Sequence, residues 1–523
     1  MSVTKPIPTS PESKSSPSAD ASSLFDLARN FDSEKIGPEL CDLIEELYPI
    51  CRSITGNGVR ETLARIGRKI PLKAEEVPTG TRVFDWTVPR EWNIRDAYIK
   101  NSRGERIVDF RKCNLHVVNY STPTAESMTL EDLKERIFTL PNQAKWIPYR
   151  TSYYAETWGF CMAHEDLEAL EKQDKKDAKE GKADPVYEVR IDSSLEKGAL
   201  TYGEYFLPGE SEDEILISTH VCHPSLANDN LSGIAVATFL AKVLTDAPRK
   251  FSYRFLFIPG TIGSITWLSR NEDKTQRIRA GLVLACLGDK GGMSYKRSRQ
   301  GNAEIDRAVV NLLKHPGQDK HEDKHQDQQQ GGSSQKDAPK EPPKPLIRDF
   351  SPYGYDERQY CSPGFNLAVG CLSRTPHGEF PEYHSSGDNL KFVDAKSLGD
   401  SLKRCLQILA SLEENATYLN QNPKCEPQLG KRGLYRNMGG YANAAEREMA
   451  MLWVLNLSDG SNSLLDIAER ADSPFEVVRL AARDLEAHGL LAKAKIADCN
   501  DRDEDTAAPQ GRDTAAKLPD TDS

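Results

Sequence analysis

Hydrophobic positions recur along this chain in two rhythms. Ile215-Leu216-Ile217-Ser218-Thr219, Tyr253-Arg254-Phe255-Leu256-Phe257-Ile258 and Gly281-Leu282-Val283-Leu284-Ala285-Cys286-Leu287 are short, mostly apolar runs bounded by polar turns, and they predict buried strands. A helical rhythm follows the first run, opened by Ser232-Gly233 and carried by Ile234, Val236 and Leu240. Another follows Pro259-Gly260-Thr261-Ile262-Gly263-Ser264. Strands alternating with helices predict a largely parallel sheet over residues 197–310. A further strand over 365–370 and a helix carrying Leu398, Leu402, Cys405, Leu406 and Leu409 extend this domain to about residue 420. Upstream, Leu40, Leu43, Ile44 and Leu47 form one helical stripe and Val59, Leu63 and Ile66 a second, so two helices are expected between Asp26 and Ile70.

Between Glu75 and Glu196 the texture changes to short β-like runs: Val83–Pro89, Ala97–Ile99, Leu115–Val118 and Tyr187–Ile191. This predicts a β-rich module inserted at 75–196 into an α/β domain made of 24–74 and 197–420. Its aromatics (Trp92, Trp146, Tyr149, Tyr153, Tyr154, Trp158) suit a core, with a cleft lining as the sharper reading. Residues 314–345 are low in complexity and predict a disordered insertion, whose His315, His321 and His325 are read as non-functional. A linker is expected at 421–443. Three helices and a short strand over 444–496 outline a winged helix, and disordered tails are expected at 1–23 and 497–523. The last of those helices mixes Glu476, Asp484 and Glu486 with Arg479 and Arg483. It therefore lacks the basic face of a DNA reader and suits protein contact instead.

Bulk properties narrow the function classes. A net charge of −11 argues against a nucleic-acid surface, and no apolar run reaches the roughly 18 residues of a membrane helix. Eleven cysteines without CxxC pairs argue for a reducing compartment, and the expected location is the cytoplasm.

The chemistry concentrates after the first strand. His220, Cys222, His223 and Asp229 fall within ten residues, a donor set that zinc prefers. The competing reading is a polar loop that uses its side chains to satisfy its own backbone. Asp289, after the third strand, is a second candidate carboxylate or a plain turn residue. The stretch Pro376–Asn389, with Glu379, Glu382 and His384, is a second source of ligands. Arg52-Ser53-Ile54-Thr55-Gly56 could bind an anion but reads better as a polar turn.

At His220-Val221-Cys222-His223 and Asp229-Asn230-Leu231-Ser232-Gly233 the chain resembles zinc-dependent aminopeptidases and carboxypeptidases of the phosphorylase/hydrolase-like fold. More closely, it resembles a mostly bacterial aminopeptidase-like family. Phe84–Ile99, Pro259–Ile265 and Pro381–Asn389 carry the same likeness. The resemblance implies an α/β fold with a mixed, mostly parallel sheet flanked by helices, a β-rich insert and a C-terminal winged helix. It matches His220 to the first histidine of an HxD motif, Asp229 to a bridging aspartate, His384 to a late histidine and Asp356 to another acidic position. The chain departs from the pattern in three places. Cys222 stands where the HxD aspartate is expected, Pro259-Gly260-Thr261 replaces a Glu-Glu pair, and Ala285-Cys286 replaces the next acidic ligand. The expectation is therefore one zinc ion rather than two, held among His220, His223, Asp229, His384 and Asp289. Glu379 and Glu382 are the candidate bases, with Glu357 as a further one. A small peptide or amide is the expected substrate. The rival expectations are an inactive peptidase-fold binding or scaffold protein and, on the winged helix alone, a transcriptional regulator.

Overall fold

A computed structural model describes residues 23–180, 186–316, 344–434 and 444–494. The expected N-terminal tail, most of the 314–345 insertion with His321 and His325, part of the linker and the acidic tail lie outside the described residues. The described chain divides into two compact units, 1–415 with 468–476, and 416–467 with 477–523.

The first unit is organised on an eight-stranded sheet. Its strands are β1 (Lys73–Pro78), β2 (Ala199–Leu207), β3 (Glu214–His220), β4 (Ser252–Ile258), β5 (Ile278–Leu284), β6 (Ser294–Lys296), β7 (Leu346–Arg348) and β8 (Val369–Ser373), in the spatial order β1-β2-β4-β3-β5-β8-β6-β7. The central four, β4-β3-β5-β8, run parallel, while β1, β2 and β6 pair antiparallel to their inner neighbours. Every residue of β3 and β4 is buried, as parallel strands covered on both faces require. The helix Gly233–Thr245 is apolar nearly all round because it is buried in the same core. Helices Ser33–Leu47 and Ala395–Glu414 each turn a leucine-rich stripe inward.

Parallel strands bury polar ends only when those ends are partnered. Glu214 opens β3 fully buried, and Arg254 of β4 meets it with two hydrogen bonds, from Nε at 2.6 Å and from Nη2 at 2.8 Å. Arg254 also pairs with Glu204 of β2. One guanidinium thus ties three adjacent strands together.

The inserted region builds its own four-stranded sheet, with Glu91–Lys100 and Tyr187–Glu196 at its centre, and a separate hydrophobic core that includes Ile99, Leu133, Phe160 and Val189. Its boundary differs from the expectation at one end. Lys73–Pro78 pairs along its whole length with β2 and so belongs to the main sheet.

Three local expectations fail for tertiary reasons. Leu115–Val118 is not a strand but follows a tight turn over Asn114–His116. The Asn114 side chain is drawn inward there, donating to Pro49 O and accepting from Ser225 N. The strand expected at 365–370 begins only at Val369, because Asn366 takes a left-handed φ of 47° in the preceding turn. The N-terminal region holds three helices rather than two, the first being Leu24–Arg29 with a capping box from Ser23.

The second region is a winged helix in outline. Helices Ala444–Leu457, Leu464–Arg470 and Phe475–Ala487 accompany a three-stranded sheet of Asp459–Ser463, Thr417–Asn420 and Leu491–Lys493. Thr417–Asn420 is the middle strand, so this module starts before the linker expected at 421. On its last helix Arg479 is buried and Asp484 pairs with Arg447. Among the described residues no helix is long and apolar enough to cross a membrane, and all ten cysteines there are free.

Removing Glu214 leaves a buried guanidinium without its main partner. Glu214→Ala is expected to cost about 3–5 kcal/mol, read as a lowered unfolding midpoint of the first unit in guanidinium chloride.

Candidate metal centre

The carboxyl ends of β3, β4, β5 and β8 open onto one edge of the sheet, where a doubly wound fold places its crevice. His220 is the last residue of β3. The chain then passes through a fully buried turn, Ala227–Ser232, whose polar side chains divide into two groups. Asn228, Asn230 and Ser232 serve the backbone. Asn228 accepts from Gly288 N at 2.8 Å, Asn230 accepts from Cys286 N at 3.2 Å and donates to His220 O at 3.1 Å, and Ser232 accepts from Leu287 N at 2.8 Å. These bonds claim the N–H groups of Cys286, Leu287 and Gly288, so the ladder of β5 does not continue through them. Gly233 has no alternative here, since a Cβ would lie 2.6 Å from Leu284 O.

Asp229 is left to face the crevice. His220 Nε2 lies 2.9 Å from one carboxylate oxygen and His384 Nε2 lies 3.0 Å from the other, which His223 Nε2 approaches to 4.0 Å. Tyr355 donates its hydroxyl to Asp229 at 3.3 Å. Potential ligand atoms of His220, His223 and Asp229 all lie within 4.8 Å of one another. Burial resists ionisation of Asp229, but the imidazoles of His223, His220 and His384 outweigh it and hold the carboxyl well below its usual range. Burial likewise keeps His223 neutral, moving its pKa down to about 3 against the pull of Asp229. A neutral His223 imidazole and an ionised Asp229 carboxylate are in the protonation states that bind a metal.

Each arm is braced. Asp388 accepts from the backbone N–H of Asn228 at 2.6 Å and of Asp229 at 2.8 Å. Arg52, fully buried, donates to His223 O at 2.7 Å and Pro224 O at 3.0 Å. That guanidinium is spent on carbonyls, so the polar-turn reading of 52–56 holds and no anion site forms there. His384 takes a left-handed φ of 54° and stacks on Tyr383, with ring centroids 4.0 Å apart. The insert reaches back to it: Tyr149 N donates to His384 O at 2.7 Å, and its ring lies edge-on to both His384 and His223. Of the other aromatics of the insert, Trp92 is core, whereas Tyr153 and Tyr154 are exposed. His116 and His164 are occupied within the insert, by Cys161 O and Thr139 respectively.

Comparisons with known proteins follow this geometry. A family model described as a domain of unknown function (DUF4910) matches residues 41–339 and 335–415, and a winged helix-turn-helix model matches 416–493. A Clostridium acetobutylicum protein named for polysaccharide biosynthesis with an aminopeptidase-like domain is 51% identical over 459 residues, covering 88% of this chain and 97% of its own. The chain belongs to this aminopeptidase-like family. The crystal structure of a peptidase-like protein from the same organism matches at 50% identity with a TM-score of 0.77, over 88% of this chain and 97% of that one. A zinc aminopeptidase from Bacillus subtilis shares the fold at 12% identity with a TM-score of 0.50, over 73% of this chain and 95% of its own.

Within the aminopeptidase-like domain, the remaining sequence candidates separate. Asp289 does not join the cluster. It is buried nearby but bound by Asn228 Nδ2 at 3.0 Å, Thr375 Oγ1 at 2.6 Å and Gly291 N at 2.7 Å, so it serves as a turn and scaffold residue. Glu379 is placed in an exposed ion pair with Arg348. Glu382 is half-buried one turn before His384, with its carbonyl capping Ser385 N at 3.1 Å. Glu357 is buried against Lys296. Cys222 is a buried thiol that burial raises to about 12; its sulfur lies 3.7 Å from Gly260 O. Asp388 and Tyr355 were not singled out from sequence as site residues, although Asp388 falls inside the quoted SGDN stretch.

The low proton affinity of His223 has a consequence for stability. The unfolded chain takes up this proton near pH 6.5 and the folded one only near pH 3, so between those values the unfolded state binds one more proton. Stability contributed by His223 is therefore complete above about pH 6.5 and falls as pH drops toward 3. In chelator-treated protein, the difference in unfolding free energy between wild type and His223→Asn is expected to change by about 1.4 kcal/mol per pH unit across that window, measured by urea titrations at stepped pH.

Proposed function

We propose that this protein is a metal-dependent hydrolase that cleaves an amide or peptide bond of a small substrate. The observation that carries the reading is the convergence of three imidazoles on one buried carboxylate at the carboxyl edge of the parallel strands. The donor set fits zinc: imidazole nitrogen and carboxylate oxygen ligands gathered at one sheet edge. His220, Asp229 and His384, with His223, are the residues assigned to hold one ion. When bound, zinc polarises a carbonyl and lowers the pKa of water toward neutrality.

The chain's own residues supply the rest. Tyr355 and Tyr383 wall the His/Asp cluster and limit water around it. Exposed Trp86, Tyr153 and Tyr154 form an aromatic rim suited to a small substrate rather than a folded protein. With Glu379 held by Arg348, Glu382 is the carboxylate assigned to accept the proton of attacking water. The winged helix is assigned to protein contact, with its buried Arg479 and paired Asp484 as support.

A second reading has its own observation. Gly260 occupies the end of β4, where the resemblance expects a glutamate pair, and no carboxylate stands at that position in the chain. An inactive peptidase-fold protein that binds through the crevice would need none there.

Two measurements decide between them. Metal analysis by plasma mass spectrometry is expected to find about one zinc per chain in wild type and little in His384→Ala; no stoichiometric metal in either would sink the hydrolase reading. Against a panel of aminoacyl and amide substrates, Glu382→Gln is expected to keep its metal and lose about 10²–10⁴ in kcat. Metal without turnover on any substrate favours the binding protein.

A further inference from the structure

Position 222 cannot brace His220. In metal sites the second ring nitrogen of a ligating histidine is ordinarily held by a carboxylate or carbonyl, which fixes the tautomer and ring orientation. Here Cys222 turns its sulfur to Gly260 O at 3.7 Å and to His223 Nδ1 at 3.9 Å. The main-chain carbonyls nearby are taken: His220 O receives Asn230, and Ile258 O receives Val221 N. His220 Nδ1 is therefore buried with no hydrogen-bond partner, on a side chain only 2% exposed.

A carboxylate oxygen at this edge shares that condition. Asp356 is fully buried. Its Oδ1 accepts from Ser264 Oγ at 2.7 Å, while its Oδ2 has no partner. The two groups flank the same glycine. A Cβ on Gly260 would lie 3.3 Å from His220 Cβ and 3.4 Å from Asp356 Oδ2. Gly260 thus leaves a gap between the side chain of His220, whose Nδ1 lacks a partner, and the partnerless Oδ2 of Asp356. A buried polar atom left without a partner is destabilising, and one interaction relieves both.

We propose that Asp356 is the positioning carboxylate of His220, accepting from His220 Nδ1–H across the Gly260 face, directly or through one water. The brace that position 222 lacks is delivered from a different segment, the turn before the helix Glu357–Tyr360, and Ser264 orients it. Asp356 touches neither substrate nor the ligand atoms themselves. A side chain at Gly260 would crowd this gap. This inference rests on the metal-site reading above.

The test uses the full chain and zinc alone. Apparent zinc affinity is measured by competition with a chromophoric chelator for wild type, Asp356→Asn, Ser264→Ala, Cys222→Asp and the double variant Asp356→Asn/Cys222→Asp, with thermal melts to confirm folding. Asp356→Asn is expected to weaken zinc binding 10- to 100-fold, and Ser264→Ala to weaken it less. The double variant is expected to recover most of the loss by restoring a carboxylate from the 222 side, a rescue that a purely structural role of Asp356 does not predict. Should the double variant fail to fold, the ¹⁵N shifts of selectively labelled histidine report whether His220 keeps its Nδ1–H tautomer in Asp356→Asn. Wild-type zinc affinity in folded Asp356→Asn, or an unchanged tautomer, would overturn the positioning role and leave the metal site standing. No zinc binding by wild type would overturn both.

Discussion

The Asp229 carboxylate is the constraint around which this molecule is arranged. It is fully buried, ionised, and must be compensated in place, because an uncompensated charge at that depth costs several kcal/mol. Three imidazoles and a tyrosine hydroxyl surround its oxygens, and they come from β3, the loop after it, and loops 126 and 155 residues later. Nothing local to residues 227–232 could do this. The turn itself is built from Asn228, Asn230 and Ser232, which saturate the backbone of the β5 exit, and Asp388 holds the two N–H groups flanking Asp229. The motif is therefore divided in function: every second polar residue pins the turn so that the one between can remain charged.

That division explains what the sequence could and could not disclose. The apolar runs that became β3, β4 and β5 were legible because strands buried on both faces are continuous hydrophobic stretches. His220, His223, Asp229 and His384 were legible because their residue types cluster at strand ends. Of the two readings of the 220–232 loop, the self-satisfying backbone describes Asn228, Asn230 and Ser232, while His220, His223 and Asp229 form a cluster with metal-ligand spacing. Asp289 and Glu379 were drawn in by residue type alone, and composition cannot reveal that Thr375 and Arg348 would claim them. Asp388 and Tyr355 escaped notice for the complementary reason, since their roles exist only through contacts with distant segments. The strand expected at 115–118 failed because Asn114 answers to Pro49 and Ser225, a tertiary demand that overrides local propensity.

The departures from the aminopeptidase-like pattern also form a set. A thiol at 222, a glycine at 260 and a cysteine at 286 remove carboxylates from three strand ends around the same edge. Asp356, Glu357 and Asp388 are buried acids contributed instead by later segments. At this edge these buried acids are thus carried by segments after the third parallel strand. The donor atoms of His220, His223 and Asp229 lie close enough together to hold a metal ion, while positions 222 and 260 are sulfur and glycine.

The braces from Tyr149 and the Ile147–Ser386 pairing add a temporal consequence. The groups that complete the crevice are read out in the order insert, first histidines, aspartate, last histidine, with β8 and its loop near the end of the domain. A chain emerging from its N-terminus holds His220 and Asp229 long before His384 exists to face them. The half-built cluster lacks both its third imidazole and the hydrogen bond from the insert that seats it. The assembled cluster is thereby a property of the finished domain, absent from the nascent chain until His384 has been made.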